Sequence, residues 1–151
     1  MSEKNPIRVF VTHTFSPHPD YFRIFEYLES APNFFYVNCS SVEAIPGAGG
    51  KEAVREALRE QIRPSEVVVV LGGMYLEQRD WLTYQMDAAQ AFEKPLVALE
   101  PFGGIEELAP AVAERADEVV GWNDRFIVDA LRRLARHEDT HRWEVIDFEM
   151  P

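Results

Sequence analysis

The apolar positions of this chain fall into five short runs that alternate with longer segments of helical periodicity. The runs are rich in valine, isoleucine and phenylalanine, which is typical of buried strands in a parallel sheet. The predicted strands are residues 7–11, 33–39, 67–71, 95–99 and 118–121. The third run, VVVVL, is followed at once by Gly72 and Gly73. Since it has no polar position, we expect it at the centre of the sheet.

Between these runs, apolar residues recur at intervals of three and four, which predicts amphipathic helices. The predicted helices are residues 21–28, 51–62, 81–92 and 105–116, with a last one after Asp124. Asp20, Asp80 and Asp124 precede three of them and are the expected N-caps. The spacing also places Phe22 and Phe126 on buried stripes of the first and last helices.

Strands alternating with helices predict an α/β fold, a single three-layer domain with a five-stranded parallel, flavodoxin-like sheet of order 2-1-3-4-5. In this order the loops 12–20 and 72–78 face each other at the carboxyl edge, where open α/β sheets bind ligands. We expect residues 1–136 to form the domain. Residues 137–151 form a charged C-terminal tail, whose apolar members are suited to dock on the domain: Trp143, Val145, Ile146 and Phe148.

Charge and cysteine content narrow the class of partner and the compartment. The 151 residues carry 15 Lys and Arg against 26 Asp and Glu, a net charge of −11. This balance predicts no nucleic-acid partner and no anionic membrane surface. Cys39 is the single cysteine, and no apolar stretch approaches the about 18 residues of a membrane span. With no signal-peptide core at the start, a cytoplasmic location is expected.

Two residues of the third predicted helix, residues 81–92, stand out as candidate site residues. Trp81 and Gln85 share one face of the predicted helix with Ala88 and Ala89, whose small side chains let that face approach the sheet. Trp81 is either a packing residue or a stacking surface for a flat base. Gln85 is either a solvated helix residue or an amide that hydrogen-bonds a ligand without contributing charge.

Other motifs of this fold class are absent or incomplete. The glycines of the loop 47–50 lack the spacing of a P-loop, and the loop 12–20 lacks the flexible residues of a flavin phosphate loop. The acids of a phosphoacceptor receiver domain are missing after the first and third strands. His13 and His18 have no ligand partners at metal spacing, so no metal site is predicted. Each is either a general base, a ligand contact or an ordinary loop histidine.

Two stretches resemble bacterial TIR-like domains, including the TIR-like subunit of Thoeris anti-phage defence systems. They are IRVFVTHTFSPHPDYFRIFEYL and IRPSEVVVVLGGMYLEQRDWLTYQMDAAQAFEKPLVALEPFGG, and the resemblance spans residues 7–134. The shared pattern begins with a strand that ends near Ser/Thr-His or Ser/Thr-Phe. Later come a strand, small residues, Tyr, a few residues, Trp, three residues, Glu, an Ala-rich helix, Lys-Pro and the next strand.

The resemblance implies an enzyme that cleaves the nicotinamide–ribose bond of NAD, as a hydrolase or an ADP-ribosyl cyclase, to make an ADP-ribose-derived signal. NAD is then the substrate, and no further cofactor is implied. The essential glutamate of the family falls at Gln85. By the same comparison and the expected loop geometry, the substrate-binding residues are Thr12, His13, Thr14, Phe15, Gly72, Tyr75 and Trp81.

Gln85 leaves several functions open. Breaking an N-glycosidic bond builds positive charge on the ribose, which a carboxylate stabilises and an amide does not. Gln85 is therefore either an inactivating substitution, of the kind made to trap a ligand, or the natural residue of a domain without catalysis. The alternatives to the enzyme are a non-catalytic TIR-like domain for interaction or nucleotide sensing, with self-association or a protein partner, and a nucleoside deoxyribosyltransferase-like enzyme.

Overall fold

A computed structural model describes residues 2–14 and 17–137 of the chain. Its five strands form one parallel sheet in the order β2-β1-β3-β4-β5, which confirms the predicted fold class and strand order. The strands are β1 Ile7–Val11, β2 Tyr36–Asn38, β3 Val67–Leu71, β4 Leu96–Leu99 and β5 Glu118–Val120. Phe15 and the tail from residue 138 onwards, both subjects of expectations above, lie outside the described residues.

Six helices complete the described part of the chain and cover the sheet. They are α1 Pro19–Ser30, α2 Gly50–Ile62, α3 Gly72–Glu77, α4 Arg79–Ala91, α5 Pro110–Ala113 and α6 Asp124–Arg136. Helix α1 packs against α6, and α2 packs against α4. The sheet lies between the two helical layers, so its central strand β3 is buried along its whole length. This burial explains why β3 has no polar residue, since each of its faces meets a layer of helices.

The segment after β3 is helical, whereas a loop was expected there. Helix α3 begins at Gly72, directly at the end of the strand. A Cβ atom on Gly72 would lie 2.4 Å from the carbonyl oxygen of Leu99. The glycine is therefore required by close approach to β4 rather than by loop flexibility. Helix α4 then begins at Arg79 after Gln78, so Asp80 lies in its first turn and is not the N-cap.

One aromatic residue of the predicted buried stripe faces outward in each of α1 and α6. Phe22 is 54% exposed and Phe126 is 59% exposed, so the expectation that both are buried is wrong. The buried stripe of α1 runs instead through Tyr21, Ile24 and Leu28. The N-caps of these helices also differ from the predicted Asp20 and Asp124. In each helix the side chain of the residue just before the first helical residue supplies the acceptor: His18 for α1 and Asn123 for α6.

The predicted helix over residues 105–116 is reduced to the single turn α5. Pro110 is its first residue, and Ala109 before it is extended with ψ 136°. A proline ring lacks the N–H of a helix interior and disfavours helical geometry in the residue before it. The helix therefore cannot extend back to Ile105, which is 92% exposed.

Candidate functional site

The carboxyl end of β1 continues into three buried polar residues, Thr12, His13 and Thr14. The backbone N–H of Thr12 donates to the Val69 carbonyl at 3.0 Å. Its hydroxyl Oγ1 accepts from the Leu71 N–H at 3.1 Å. Thr12 thus joins the ends of β1 and β3, the two strands on either side of the switch point. Both strand ends are held at fixed positions at the edge where a ligand is expected.

Gln85 belongs to α4, reaches this edge of the sheet and is fully buried, at 0% exposure. Its Oε1 accepts from the His13 N–H at 3.0 Å, and its Nε2 donates to the His13 carbonyl at 2.8 Å. The same Nε2 donates to the Trp81 carbonyl at 3.0 Å. These contacts rule out a solvated helix residue. The amide supplies one acceptor and two donors, all three directed at backbone groups.

The ring of His13 is held by a second glutamine. Its Nε2 lies 2.9 Å from Oε1 of Gln61, in the last turns of α2. Gln61 also accepts from the Ser41 N–H and donates to the Ser41 carbonyl, both at 2.9 Å. Burial lowers the pKa of His13, and the hydrogen bond to Gln61 only partly opposes this shift. The ring is therefore neutral near pH 7, with its hydrogen on Nε2, because it faces an acceptor.

His18 connects the same loop to α3. Its Nδ1 accepts from the Asp20 N–H at 3.1 Å, which caps α1, and its Nε2 lies 2.8 Å from Oε2 of Glu77. Both histidines thus hold the loop after β1 in place. Within residues 2–14 and 17–137, no three His, Cys, Asp or Glu side chains come together as a metal site would require.

A pocket of about 500 Å³ opens beside Trp81, between α2 and the start of α4. Trp81 is half-buried and meets Tyr84 edge to face, with the ring centroids 6.4 Å apart. Tyr75 is buried and is not among the lining residues, and the Arg79 guanidinium lies 5.8 Å from its ring centroid. The lining residues are Lys51, Arg55, Glu77, Gln78, Arg79, Asp80, Trp81 and Tyr84.

The structure therefore brings the predicted site residues together only in part. Trp81 lines the pocket, whereas Thr12, His13 and Gln85 are buried in hydrogen bonds at the strand ends and are not among its lining residues. Sequence reasoning missed Arg55, Arg79 and Gln61, and set Lys51 aside with the loop 47–50 because that loop lacks the spacing of a P-loop. The only signal for them was polar residues in the turns of amphipathic helices, a pattern that ordinary solvated faces share.

The sequence model of the family described as Thoeris protein ThsB, TIR-like domain matches residues 10–103. The match covers more than half of the chain and includes the end of β1, β3 and the Gln85 helix. The chain belongs to this family. A comparison with curated proteins gives no significant match.

Among solved structures, this TIR-like domain is similar to DNA processing protein A from Helicobacter pylori, described by its single-stranded DNA binding mode. The identity is 15% and the TM-score 0.54, over 86% of this chain and 82% of the other. At this identity the likeness shows the fold alone.

The comparison corrects one expectation nonetheless. The prediction that excluded a nucleic-acid partner is wrong, because a protein of this fold is described as binding single-stranded DNA. The physical error lies in using net charge as if it were local charge. A chain with a net charge of −11 can still carry local groups of cations, so net charge by itself does not exclude a nucleic-acid partner. Across the described ranges, no helix is both long enough and apolar enough to cross a membrane.

Proposed function

We propose that this TIR-like domain of the anti-phage defence family processes NAD by cleaving the nicotinamide–ribose bond, and that Gln85 silences the reaction. The observation that carries the proposal is the position of Gln85. It is buried at the carboxyl ends of β1 and β3, in contact with His13 and one helical turn from Trp81. Ligands of open α/β sheets bind at this edge.

The chemistry follows from the charge that position 85 can or cannot supply. Departure of nicotinamide leaves positive charge on the ribose ring, and a preorganised carboxylate stabilises that charge. The Gln85 amide keeps the shape of the side chain but contributes no negative charge. The domain as it stands is therefore expected to bind NAD and leave the bond intact. Conversion to glutamate is expected to yield nicotinamide and an ADP-ribose-derived product.

Residues around position 85 take two kinds of role in this proposal. Trp81 contacts a flat ring of the substrate from the pocket wall, and Phe15 remains a proposed contact from the loop after β1. Thr12, His13 and Gly72 are positioning residues, because their buried groups fix the backbone at the switch point. Tyr75 and Thr14 are also buried and belong to the same class of positioning residues, and NAD itself is the only non-protein group required.

The test compares the protein as it stands with Gln85→Glu, and uses Gln85→Ala as a control for loss of the side chain. NAD binding is measured by calorimetry, and nicotinamide release by chromatography, with the rate scaled to the folded fraction from circular dichroism. We expect binding without release for the unmodified protein, and release for Gln85→Glu alone. A folded Gln85→Glu variant that binds NAD and releases no nicotinamide would contradict the proposal.

A second candidate is a nucleotide-sensing domain without catalysis. The observation in its favour is the fit of the Gln85 amide, whose two donors meet the carbonyls of His13 and Trp81. A carboxylate has no hydrogen for either carbonyl, so glutamine suits this backbone better than glutamate does. This candidate predicts nucleotide binding by the unmodified protein together with silence of the Gln85→Glu variant.

A further inference from the structure

Large apolar side chains lie exposed at the carboxyl edge of the sheet, on the layer formed by α1 and α6. These two helices pack against each other, and each follows the carboxyl end of a strand. Phe22 faces outward near the start of α1, and Phe126 near the start of α6. Phe102 and Ile105 are exposed on the loop that follows β4. These four residues, together with the half-buried Trp122 after β5, form the aromatic patch.

The centre of the aromatic patch is held in place by contacts within the domain. The Arg23 guanidinium lies 3.7 Å from the ring centroid of Phe102 and 5.9 Å from that of Trp122. Phe102 and Trp122 meet edge to face, with their centroids 5.4 Å apart. The Trp122 Nε1–H donates to the Glu100 carbonyl at 2.8 Å. Since these contacts position the rings in advance, a partner that covers them immobilises little that is not already fixed.

The clustering of the patch distinguishes it from ordinary surface apolar residues. Of the seven large apolar side chains that are exposed in the described part of the chain, four belong to the aromatic patch. Single exposed apolar residues are common on protein surfaces, whereas a group of them with a polar rim marks an interaction site. Phe22 and Phe126 also lie at the spacing of the buried stripes, so they extend each apolar helix face out to the surface. We therefore read the patch as a surface for a protein partner.

The rim of the aromatic patch is acidic. The loop after β4 carries three glutamates and neither Lys nor Arg between residues 100 and 109: Glu100, Glu106 and Glu107. Glu26 adds a further exposed acid on α1, one turn after Phe22. Arg23 is already paired with Asp20, and across the described residues no ion pair neutralises the four glutamates. A partner that covers the rings therefore meets negative charge around them, which favours a partner with positive charge beside its apolar side chains.

We propose that the aromatic patch binds a basic amphipathic segment of another protein, with apolar side chains on the rings and Lys or Arg beside the glutamates. A second copy of this chain fits the patch poorly, because a symmetric contact would bring the acidic rim against itself on a chain with a net charge of −11. The inference goes beyond NAD cleavage and does not depend on it, because the patch lies on the layer of α1 and α6, whereas Gln85 belongs to α4.

The probe for the test is a synthetic amphipathic helical peptide of Leu and Lys, compared with a peptide that has Glu in place of each Lys. Calorimetry measures the binding of each peptide to the full chain. We expect the Lys peptide to bind at least about tenfold more tightly at low salt, and the difference to shrink as salt is added. Hydrogen exchange followed by mass spectrometry should show protection by the Lys peptide in residues 22–27, 100–107 and 121–126.

Two variants of the patch and two matched controls locate the binding surface. Ile105→Ser and Glu106→Lys are each expected to weaken binding of the Lys peptide about threefold or more. Val37→Ser on β2 removes an exposed apolar side chain elsewhere, and Glu56→Lys on α2 makes the same change of charge. These controls should weaken binding less than about twofold. All four side chains are exposed, so the melting temperatures should match that of the unmodified protein.

Several results would overturn the inference. They are equal binding of the Lys and Glu peptides, no binding of the Lys peptide at millimolar concentration, equal weakening by Glu56→Lys and Glu106→Lys, or protection confined to other residues. Sedimentation of the protein without peptide tests the competing occupant. We expect Ile105→Ser to leave the sedimentation coefficient unchanged. A dimer that Ile105→Ser dissociates would assign the patch to a second copy of this chain instead.

Discussion

Replacing Gln85 with glutamate changes one NH₂ group to an oxygen in a fully buried position. The carboxylate retains the bond from the His13 N–H, which the Gln85 oxygen accepts at 3.0 Å. It loses both donated bonds, to the His13 carbonyl at 2.8 Å and to the Trp81 carbonyl at 3.0 Å. Two carbonyl oxygens then face a negative charge. We therefore expect Gln85→Glu to lower the free energy of unfolding at pH 7.

The magnitude follows from the two lost bonds. The His13 carbonyl loses a buried partner, at a cost of about 1–3 kcal/mol. The Trp81 carbonyl also lies in the hydrogen-bond ladder of α4, so its loss is nearer the net value of about 0.5–1.5 kcal/mol. The sum is about 1.5–4.5 kcal/mol, a large part of the stability of an ordinary domain. A catalytic glutamate here would trade stability for activity, as active-site residues commonly do.

The dependence on pH isolates the charge. Burial and the facing carbonyls raise the pKa of the new carboxyl above its unfolded value of about 4.3. The folded variant then binds more protons than the unfolded one between these two values, so its stability falls as pH rises through this window. Below this pH window the carboxyl is protonated, and its O–H can again donate to the carbonyl of His13 or Trp81. The loss relative to the unmodified protein should therefore shrink on acidification.

Urea unfolding followed by circular dichroism at several pH values between 4 and 8 measures this loss. Gln85→Met is the control, since it has a similar shape and no charge, and its loss should not depend on pH. Equal stability of Gln85→Glu and the unmodified protein at pH 7, within about 0.5 kcal/mol, would refute the assigned role of the amide donors. The reasoning would also be refuted if Gln85→Glu and Gln85→Met lowered the free energy of unfolding by the same amount at every pH.

Three further predictions concern two residues that frame the site and the half-buried thiol that follows β2. Gly72→Ala should lower the free energy of unfolding by about 1–3 kcal/mol in urea titrations, because the new Cβ meets the Leu99 carbonyl. Gly47→Ala is the control, since Gly47 has open space around it, and should change this free energy by less than about 0.5 kcal/mol. Equal losses for the two variants would contradict the close approach at Gly72. Burial lowers the pKa of His13 below 6.5, so its contribution to stability is complete above pH 6.5 and lost as pH falls. Replacing His13 with glutamine should flatten that acid limb, and an unchanged limb would exclude His13 as its source. Burial raises the pKa of the Cys39 thiol, so it should react with a disulfide reagent several-fold more slowly than free cysteine at pH 8, and equal rates would contradict this.

Pattern and composition predicted the strands well because their cause is local. A strand covered on both faces must be apolar throughout, so VVVVL specifies β3 without knowledge of its neighbours. Alternation with helices then leaves few arrangements, of which the order β2-β1-β3-β4-β5 is a common one. Helix faces were less well determined: an apolar residue at the right spacing, such as Phe22, can still lie at the boundary of the stripe and face outward.

By itself, the sequence determined the fold class, the central strand and the placement of Trp81 and Gln85 at the carboxyl edge. Only the tertiary structure decided what these residues contact. Gln85 meets His13 across 72 residues, and Gln61 meets it across 48. Lys51 and Arg79 reach one pocket from two helices. Hydrophobic periodicity reports which face of an element is buried, because burial acts on each residue separately. A hydrogen bond or a charge cluster depends on the positions of both partners, and those positions exist only once the chain has folded.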